Sequence, residues 1–161
     1  MINLAHHRTF RETEGVRFLD ISVPGSNGLD LVEHSGPSVS PPNNRGAKQW
    51  YIHRHQDDWN RCIKGHRLFE LFNRRWDQPH WFVMLDAKTG ALHIPAGCYH
   101  RSYSGNDGSL LLNHAVRDAL YDEATEFHPT MIWKHRLHAP VYWGCTMQQA
   151  EHFIVTGELL Q

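Results

Sequence analysis

The chain is expected to fold as one all-β barrel finished at its C-terminal end by a short helix. Three observations carry that expectation. Strand-like apolar runs recur at about 8–12-residue spacing and are punctuated by glycine and proline, the pattern of a sandwich or barrel. Hydrophobic residues make up 40% of the 161 positions and aromatics 11%, enough to fill one core without cross-links. A group of histidines, His53, His55, His93, His100 and His114, lies inside the strand-like segments rather than between them.

Taken in order, residues 1–45 read as N-terminal strands and a loop. Two short strands, Val16–Ile21 and Leu29–Val32, are joined by a turn containing Pro24, Gly25, Asn27 and Gly28. The stretch Ser35–Lys48 holds Pro37, Pro41, Pro42, Asn43, Asn44 and Gly46, through which no helix can run. Residues 46–120 form the barrel core. Its strands are Gln49–His55, Arg61–Ile63, His66–Asn73, Trp81–Asp86, Ala91–Ile94 and Ser109–Val116, with Ala87-Lys88-Thr89-Gly90 as a hairpin turn. Near the end, Thr146-Met147-Gln148-Gln149 has capping-box spacing, and Ala150, Phe153 and Ile154 share a helical face with Met147. A helix over Met147–Val155, within a C-terminal segment of residues 145–157, is expected to cap the barrel. Residues 1–161 are read as a single domain.

Bulk properties narrow the function. A formal net charge of −1 offers no general attraction to nucleic acid or to anionic membrane. Cys62, Cys98 and Cys145 are an odd count without a CxxC and read as reduced thiols of a cytoplasmic protein, Cys98 as a small buried filler. The N-terminus lacks a signal-type apolar region, and no run approaches the roughly 18 apolar residues of a membrane span. Of the 14 histidines, His6, His7, His34, His128, His135 and His138 lie in polar or terminal stretches and are read as solvated.

Two stretches carry the chemistry. In the first, Trp50-Tyr51-Ile52-His53-Arg54-His55-Gln56-Asp57-Asp58, strand alternation would send His53 and His55 to one face, with Asp58 just beyond. In the second, Gly90 to His100, the turn at Pro95 and Gly97 would present His100 from a neighbouring strand. Three imidazoles and a carboxylate around one cavity suit a divalent metal such as Fe, Mn, Ni or Zn. His93 is out of phase with Leu92 and Ile94 and is expected to face solvent.

These stretches resemble the paired motifs of the cupin superfamily, G-x5-H-x-H-x3,4-E-x6-G and G-x5-P-x-G-x2-H-x3-N. The matching positions are Gly46, His53, His55, Asp58 and Gly65, then Gly90, Pro95, Gly97, His100 and Ser104. The departures are one-residue spacing changes, Asp for Glu, and Ser for Asn. The resemblance implies a double-stranded β-helix, or jelly-roll, barrel. Over residues 45 to 125 the strings WYIHRH, RCIKGHRLFELFNRR, IPAGCYHRSYS and LLLNHAVRD are similar to the dTDP-4-dehydrorhamnose 3,5-epimerase branch. That resemblance implies a metal-free isomerase of a keto-sugar, with a histidine removing a proton next to a ketone.

On the matching positions His53 is the implied base and His100 a second cavity histidine and polariser. The branch's lysine falls on Asp58, its tyrosine on His114, and no aspartate is assigned to orient His53. Proton return is open between His114, Tyr99, Tyr103 and Tyr121. Arg54 and Arg61 are candidates for gripping a diphosphate bidentately or for strand-edge positions in solvent. Tyr51, Tyr103 and Trp59 are candidate substrate contacts, Trp59 by stacking on a base; as structural residues they would fill the core. The implied substrate is a small molecule, probed best as a sugar nucleotide, and the implied assembly is a homodimer paired through the apolar N-terminal strands. Two further readings stay open at the level of sequence. One is a metal-dependent cupin using His53, His55, Asp58 and His100 for oxidation or isomerisation; the other is a non-catalytic sugar-binding barrel.

Overall fold

The structure is a computed structural model that describes residues 1–5, 8–13, 16–20, 23–132 and 139–160, with backbone alone between 5 and 22. In chain order the elements are β1 (Asn3–Ala5), β2 (Arg8–Thr13), β3 (Val16–Asp20), β4 (Gly28–His34), β5 (Ser38–Ser40), β6 (Tyr51–Ile52), β7 (Gln56–Phe72), β8 (His80–Leu85), β9 (Ala91–Ile94), β10 (Tyr99–Arg117), α1 (Glu123–Glu126), β11 (Val141–Trp143) and α2 (Met147–Thr156).

Two long antiparallel strands, β7 and β10, organise the barrel. The first half of β7 pairs with the second half of β10 and lies between β9 and β4, with β1 beyond β9. The second half of β7 pairs with the first half of β10 and with β8, which carries β11 in parallel. Short strands β5 and β6 add to the first half of β10. Each long strand thus belongs to two sheets, which is how a jelly roll turns its corners.

The corner falls at Gly65, where φ is +71°, opposite the irregular stretch between Ser104 and Ser109. An L side chain rarely adopts that φ, and a Cβ at Gly65 would collide with the Gly108 carbonyl oxygen. The bend also changes which residues face inward. Gln56, Asp58 and Asn60 point into the barrel before it, and Arg67, Phe69 and Leu71 after it.

The folded-over sheets enclose a core of Cys62, Phe69, Leu71, Val83, Leu85, Leu92, Ile94, Cys98 and Leu111 at one end. The other end is open. Outside, α2 buries Ala150 and Phe153 against Leu68, Phe82, Met84 and Tyr103. Its capping box is formed: the Thr146 side chain accepts from Gln149 N, and the Gln149 side chain accepts from Thr146 N.

Several expected elements change. The two N-terminal strands are present as β3 and β4, with Ile21 outside the described residues, and β3 pairs with β2 while β4 pairs with β10. Arg61–Ile63 and His66–Asn73 are parts of one strand, and Gln49–His55 shrinks to Tyr51–Ile52. The Ala87–Gly90 turn forms, with Asp86 Oδ1 accepting from Lys88 N and Thr89 N, but it closes no hairpin. β8 and β9 instead pair with opposite halves of β7, so the turn carries the chain from one sheet to the other. α1 was not expected at all. Among the described residues no helix is long and apolar enough to cross a membrane.

Candidate active site

The open end of the barrel is a cavity of about 250 Å³ whose wall includes Tyr51, His53, Asp58, Arg67, His100 and Asn113. His53 sits in the irregular backbone between β6 and β7, where pairing has lapsed. Its carbonyl accepts from Gly97 N at 2.7 Å, tying it to the Pro95–Gly97 turn that precedes His100. The side chain of Glu126 accepts from Arg54 N and His55 N, at 2.6 and 3.3 Å, so the end of α1 holds the same turn from the other side.

The tautomers of both cavity histidines follow from their partners. His53 Nδ1 lies 2.9 Å from the Glu126 carbonyl oxygen, and His100 Nδ1 lies 3.2 Å from that of Cys98. A carbonyl oxygen only accepts, so both Nδ1 atoms carry hydrogen and both Nε2 atoms of the neutral rings hold lone pairs. The ring centroids are 4.8 Å apart. Burial, helped by the neighbouring His53, pushes the His100 pKa down to about 3, so this ring is neutral.

Asp58 completes the group. Its Oδ1 accepts from Gln56 Nε2 at 2.6 Å and Asn113 Nδ2 at 2.8 Å, while Oδ2 stands 3.4 Å from His53 Nε2. Both amides are themselves fixed: Gln56 Oε1 accepts from Arg117 Nε, and Asn113 Oδ1 accepts from Trp59 N. Burial raises the Asp58 pKa, against the opposing pull of His53 and the two amide donors. A proton taken up at His53 Nε2 would arrive beside this carboxyl group, which in its ionised form stabilises the imidazolium. His53, Asp58 and His100 each offer one ligand atom within 4.8 Å of the others.

The structure thus brings together Tyr51, His53, Asp58 and His100 from the sequence candidates and separates the rest. His55 is turned out of the cavity and pairs with Asp118 at 3.0 Å, because the strand that would have aligned it with His53 ends at Ile52. Arg54 is exposed. Trp59, Arg61 and His114 lie on the outer face, alternating with the inward Asp58, Asn60 and Asn113. Trp59 stacks on His93 at 4.3 Å, on the outer side and away from the cavity. His93 also pairs with Asp57, on the outer side as expected.

The tyrosine candidates fare similarly. Tyr103 is on the outer face, donating to Glu70 Oε2 at 2.6 Å. Tyr121 lies under the Arg117 guanidinium, and Tyr99 packs near Phe72. The one phenol among the described cavity residues is Tyr51, 6.1 Å from the His100 ring. His100 cannot polarise a carbonyl, because its N–H is spent on Cys98 and its Nε2 only accepts. His34 is not solvated: it bonds Ser104 and Arg67. His6, His7, His135 and His138 lie outside the described residues or among those whose side chains are not described. Cys98 is the buried filler expected, its thiol pushed up to about 12 by burial. Glu126, Asn113, Gln56 and Arg67 had no signal in the sequence beyond being polar.

No protein-family model and no curated protein sequence matches the chain. Solved structures do. A single-residue variant of the 3,4-ketoisomerase QdtA from Thermoanaerobacterium thermosaccharolyticum, in complex with TDP-4-keto-6-deoxyglucose, superposes with a TM-score of 0.58 at 13% identity, covering 76% of this chain and 83% of that one. The fold is that of the sugar-nucleotide ketoisomerases and epimerases. The dTDP-4-dehydrorhamnose 3,5-epimerase of Elizabethkingia anophelis NUHP1 gives 0.58 at 12% identity, over 76% of this chain and 72% of that one. The WlaRB TDP-quinovose 3,4-ketoisomerase of Campylobacter jejuni gives 0.58 at 13% identity, over 78% and 91%. The jelly-roll barrel expected from the cupin resemblance is therefore the observed one.

Proposed function

We propose that the protein is an isomerase or epimerase of a nucleotide-linked keto-sugar, working by proton abstraction next to the ketone. The observation that carries the proposal is the His53–Asp58 pair on the cavity wall: Glu126 fixes the tautomer that leaves Nε2 as the basic nitrogen, and the buried Asp58 Oδ2 lies 3.4 Å from that same atom. His53 Nε2 takes a proton from the carbon beside the ketone, the C–H pair becomes the enolate double bond, and the ketone oxygen takes the negative charge. For carbonyl transfer, the hydroxyl proton on the carbon that lost its C–H passes to the former ketone oxygen, and the imidazolium returns the abstracted proton to the former ketone carbon, leaving a hydroxyl there and a ketone next to it. Return from the Tyr51 hydroxyl to the opposite face would instead invert the carbon. His100 Nε2 accepts a hydrogen bond from a sugar hydroxyl.

The fold shared with sugar-nucleotide isomerases supports the substrate class, since TDP-4-keto-6-deoxyglucose is bound by one of those structures. The metal reading is the weaker one. Its four-ligand set is not assembled, because His55 pairs with Asp118 outside, and Asp58 Oδ1 is already committed to two amides. The proposed reaction needs no cofactor. A sugar-nucleotide substrate also fits a cytoplasmic protein, and we propose pairing of two copies through the outer face that carries Leu29 and Leu31.

The test is incubation with TDP-4-keto-6-deoxyglucose in deuterium oxide, followed by NMR. Deuterium should enter beside the ketone, and His53→Asn should slow its entry by about 10²–10⁴-fold, with Asp58→Asn causing a smaller loss. The position and configuration of the label separate carbonyl transfer from epimerisation. Absence of exchange, or exchange that survives His53→Asn, overturns the proposal. Near-stoichiometric metal in protein purified without added salts, lost in Asp58→Ala, would promote the metal reading instead.

A further inference from the structure

An enolate is stabilised by a hydrogen-bond donor or a cation at its oxygen, and neither cavity histidine provides one, since both N–H groups point into backbone carbonyls. Arg67 lies elsewhere on the cavity wall, at 1% exposure. Its Nε donates to Ser109 Oγ at 2.7 Å, and Nη1 reaches His34 Nε2 at 3.1 Å and Ser102 Oγ at 3.3 Å. Nη2 makes long contacts of 3.5 and 3.4 Å with the Val32 and Ser109 carbonyl oxygens. Every one of these partners is neutral. His34 must accept from a guanidinium that has no acceptor, so its other nitrogen carries the hydrogen and donates to Ser104.

Among the described residues Arg67 forms no ion pair, and it is the cavity's one arginine or lysine. A buried guanidinium held only by neutral groups is an unbalanced charge, a costly feature in a barrel wall unless an anion comes to meet it. Burial brings its pKa down to about 10, which leaves it charged at neutral pH. The two Nη2 contacts are long enough to be exchanged for a better acceptor.

On the functional reading above, we propose that Arg67 is the oxyanion-binding residue of the cavity: it receives the ketone oxygen of the substrate as that oxygen becomes an enolate. His34, Ser102 and Ser109 position it by holding the remaining donors of the fork. The negative charge created when His53 removes the proton is thereby met across the cavity by a cation that was present before the reaction began.

The first experiment does not depend on the sugar reaction. Oxalate, a small planar dianion with the oxygen arrangement of an enediolate, is titrated into the wild-type protein while the Arg67 Nε resonance is followed by NMR and the heat by calorimetry. Oxalate should bind and move that resonance. Arg67→Met should weaken binding at least tenfold, with Arg67→Lys in between. Failure of oxalate to bind wild type, or binding that leaves the Arg67 signal unmoved, overturns the proposal even where a variant does not fold. Unchanged affinity in a folded Arg67→Met protein overturns it as well.

The second readout uses the deuterium assay. Arg67→Lys and Arg67→Met should lower kcat by about 10²–10³-fold with KM little changed, because the contact strengthens only as charge develops. A purely structural arginine would instead lower thermal stability and leave kcat per folded molecule intact. If wild type exchanges no deuterium yet binds oxalate through Arg67, the sugar reading fails and the oxyanion site stands.

Discussion

His100 illustrates how one side chain links the cavity to the stability of the fold. In the folded protein its pKa is about 3, against the ordinary value of 6.5 in an unfolded chain. Between those two values the unfolded chain holds a proton that the folded protein does not, so stability rises with pH through this window and falls on acidification. His34, half-buried and lowered to about 4 by burial and by Arg67, adds a smaller effect of the same sign. Asp58, raised by burial, works in the opposite direction. Comparison with His100→Asn isolates the first contribution, because asparagine can still donate to the Cys98 carbonyl but cannot titrate. From pH 7 to 4.5 wild type should lose on the order of 2 kcal/mol more than the variant in urea unfolding. Equal losses would show that His100 is not held neutral. At this scale the sequence was informative about identity and weak about direction. His53, Asp58 and His100 were legible because their spacing around Gly65, Pro95 and Gly97 is distinctive. His55 misled because alternation applies only while a strand continues, and here it stops at Ile52. Asn113 was hidden behind His114 by one position of register, and Glu126 acts on His53 through a backbone carbonyl that any residue could supply.

The long strands and the helix differ in how locally they are specified. α2 was readable because its signals are all its own: a capping box at Thr146 and Gln149 and an apolar face; the structure adds Gly157 in the left-handed conformation at its end. β7 and β10 were not, since each looks like two strands when judged over short windows. The Ala87–Gly90 turn shows the same gap, as its chemistry was right and its pairing was decided by β7. Gly65 is where the long strand's bend depends on a single residue. Gly65→Ala meets two penalties there, a left-handed backbone that costs about 1–2 kcal/mol for an L residue and a collision with the Gly108 carbonyl. Together they should destabilise the protein by about 2–4 kcal/mol in urea unfolding. The same substitution at Gly97, where φ is +80° but a Cβ would meet no atom, should cost only the backbone part. Equal costs at the two positions would mean that the corner can relax around a methyl group.

At the scale of the molecule, the described residues treat the two sheet surfaces differently. α2 shields the sheet built on the second half of β7, burying Ala150 and Phe153. On the other sheet the register places Leu29, His114, Trp59 and His93 in one row across β4, β10, β7 and β9. Leu31 and Leu112 stand opposite one another in the next row. Leu29 and Leu31 are each 64% exposed, and among the described residues β4 pairs only with β10. Neighbouring exposed leucines on a strand surface are the kind of patch that proteins bury in self-association. Two copies meeting there would join these rows without touching the cavity, whose residues point to the other face of the same strands. Light scattering behind size exclusion should therefore give about twice the 18.7 kDa of one chain. Leu29→Lys combined with Leu31→Lys should yield a folded monomer, because neither side chain contributes to the core. A wild-type monomer at micromolar concentration would sink the dimer, as would a double variant that remains paired. Deuterium exchange measured on the dissociated double variant then decides whether each barrel works alone: rates near those of wild type are expected, since every residue assigned to the reaction comes from one chain.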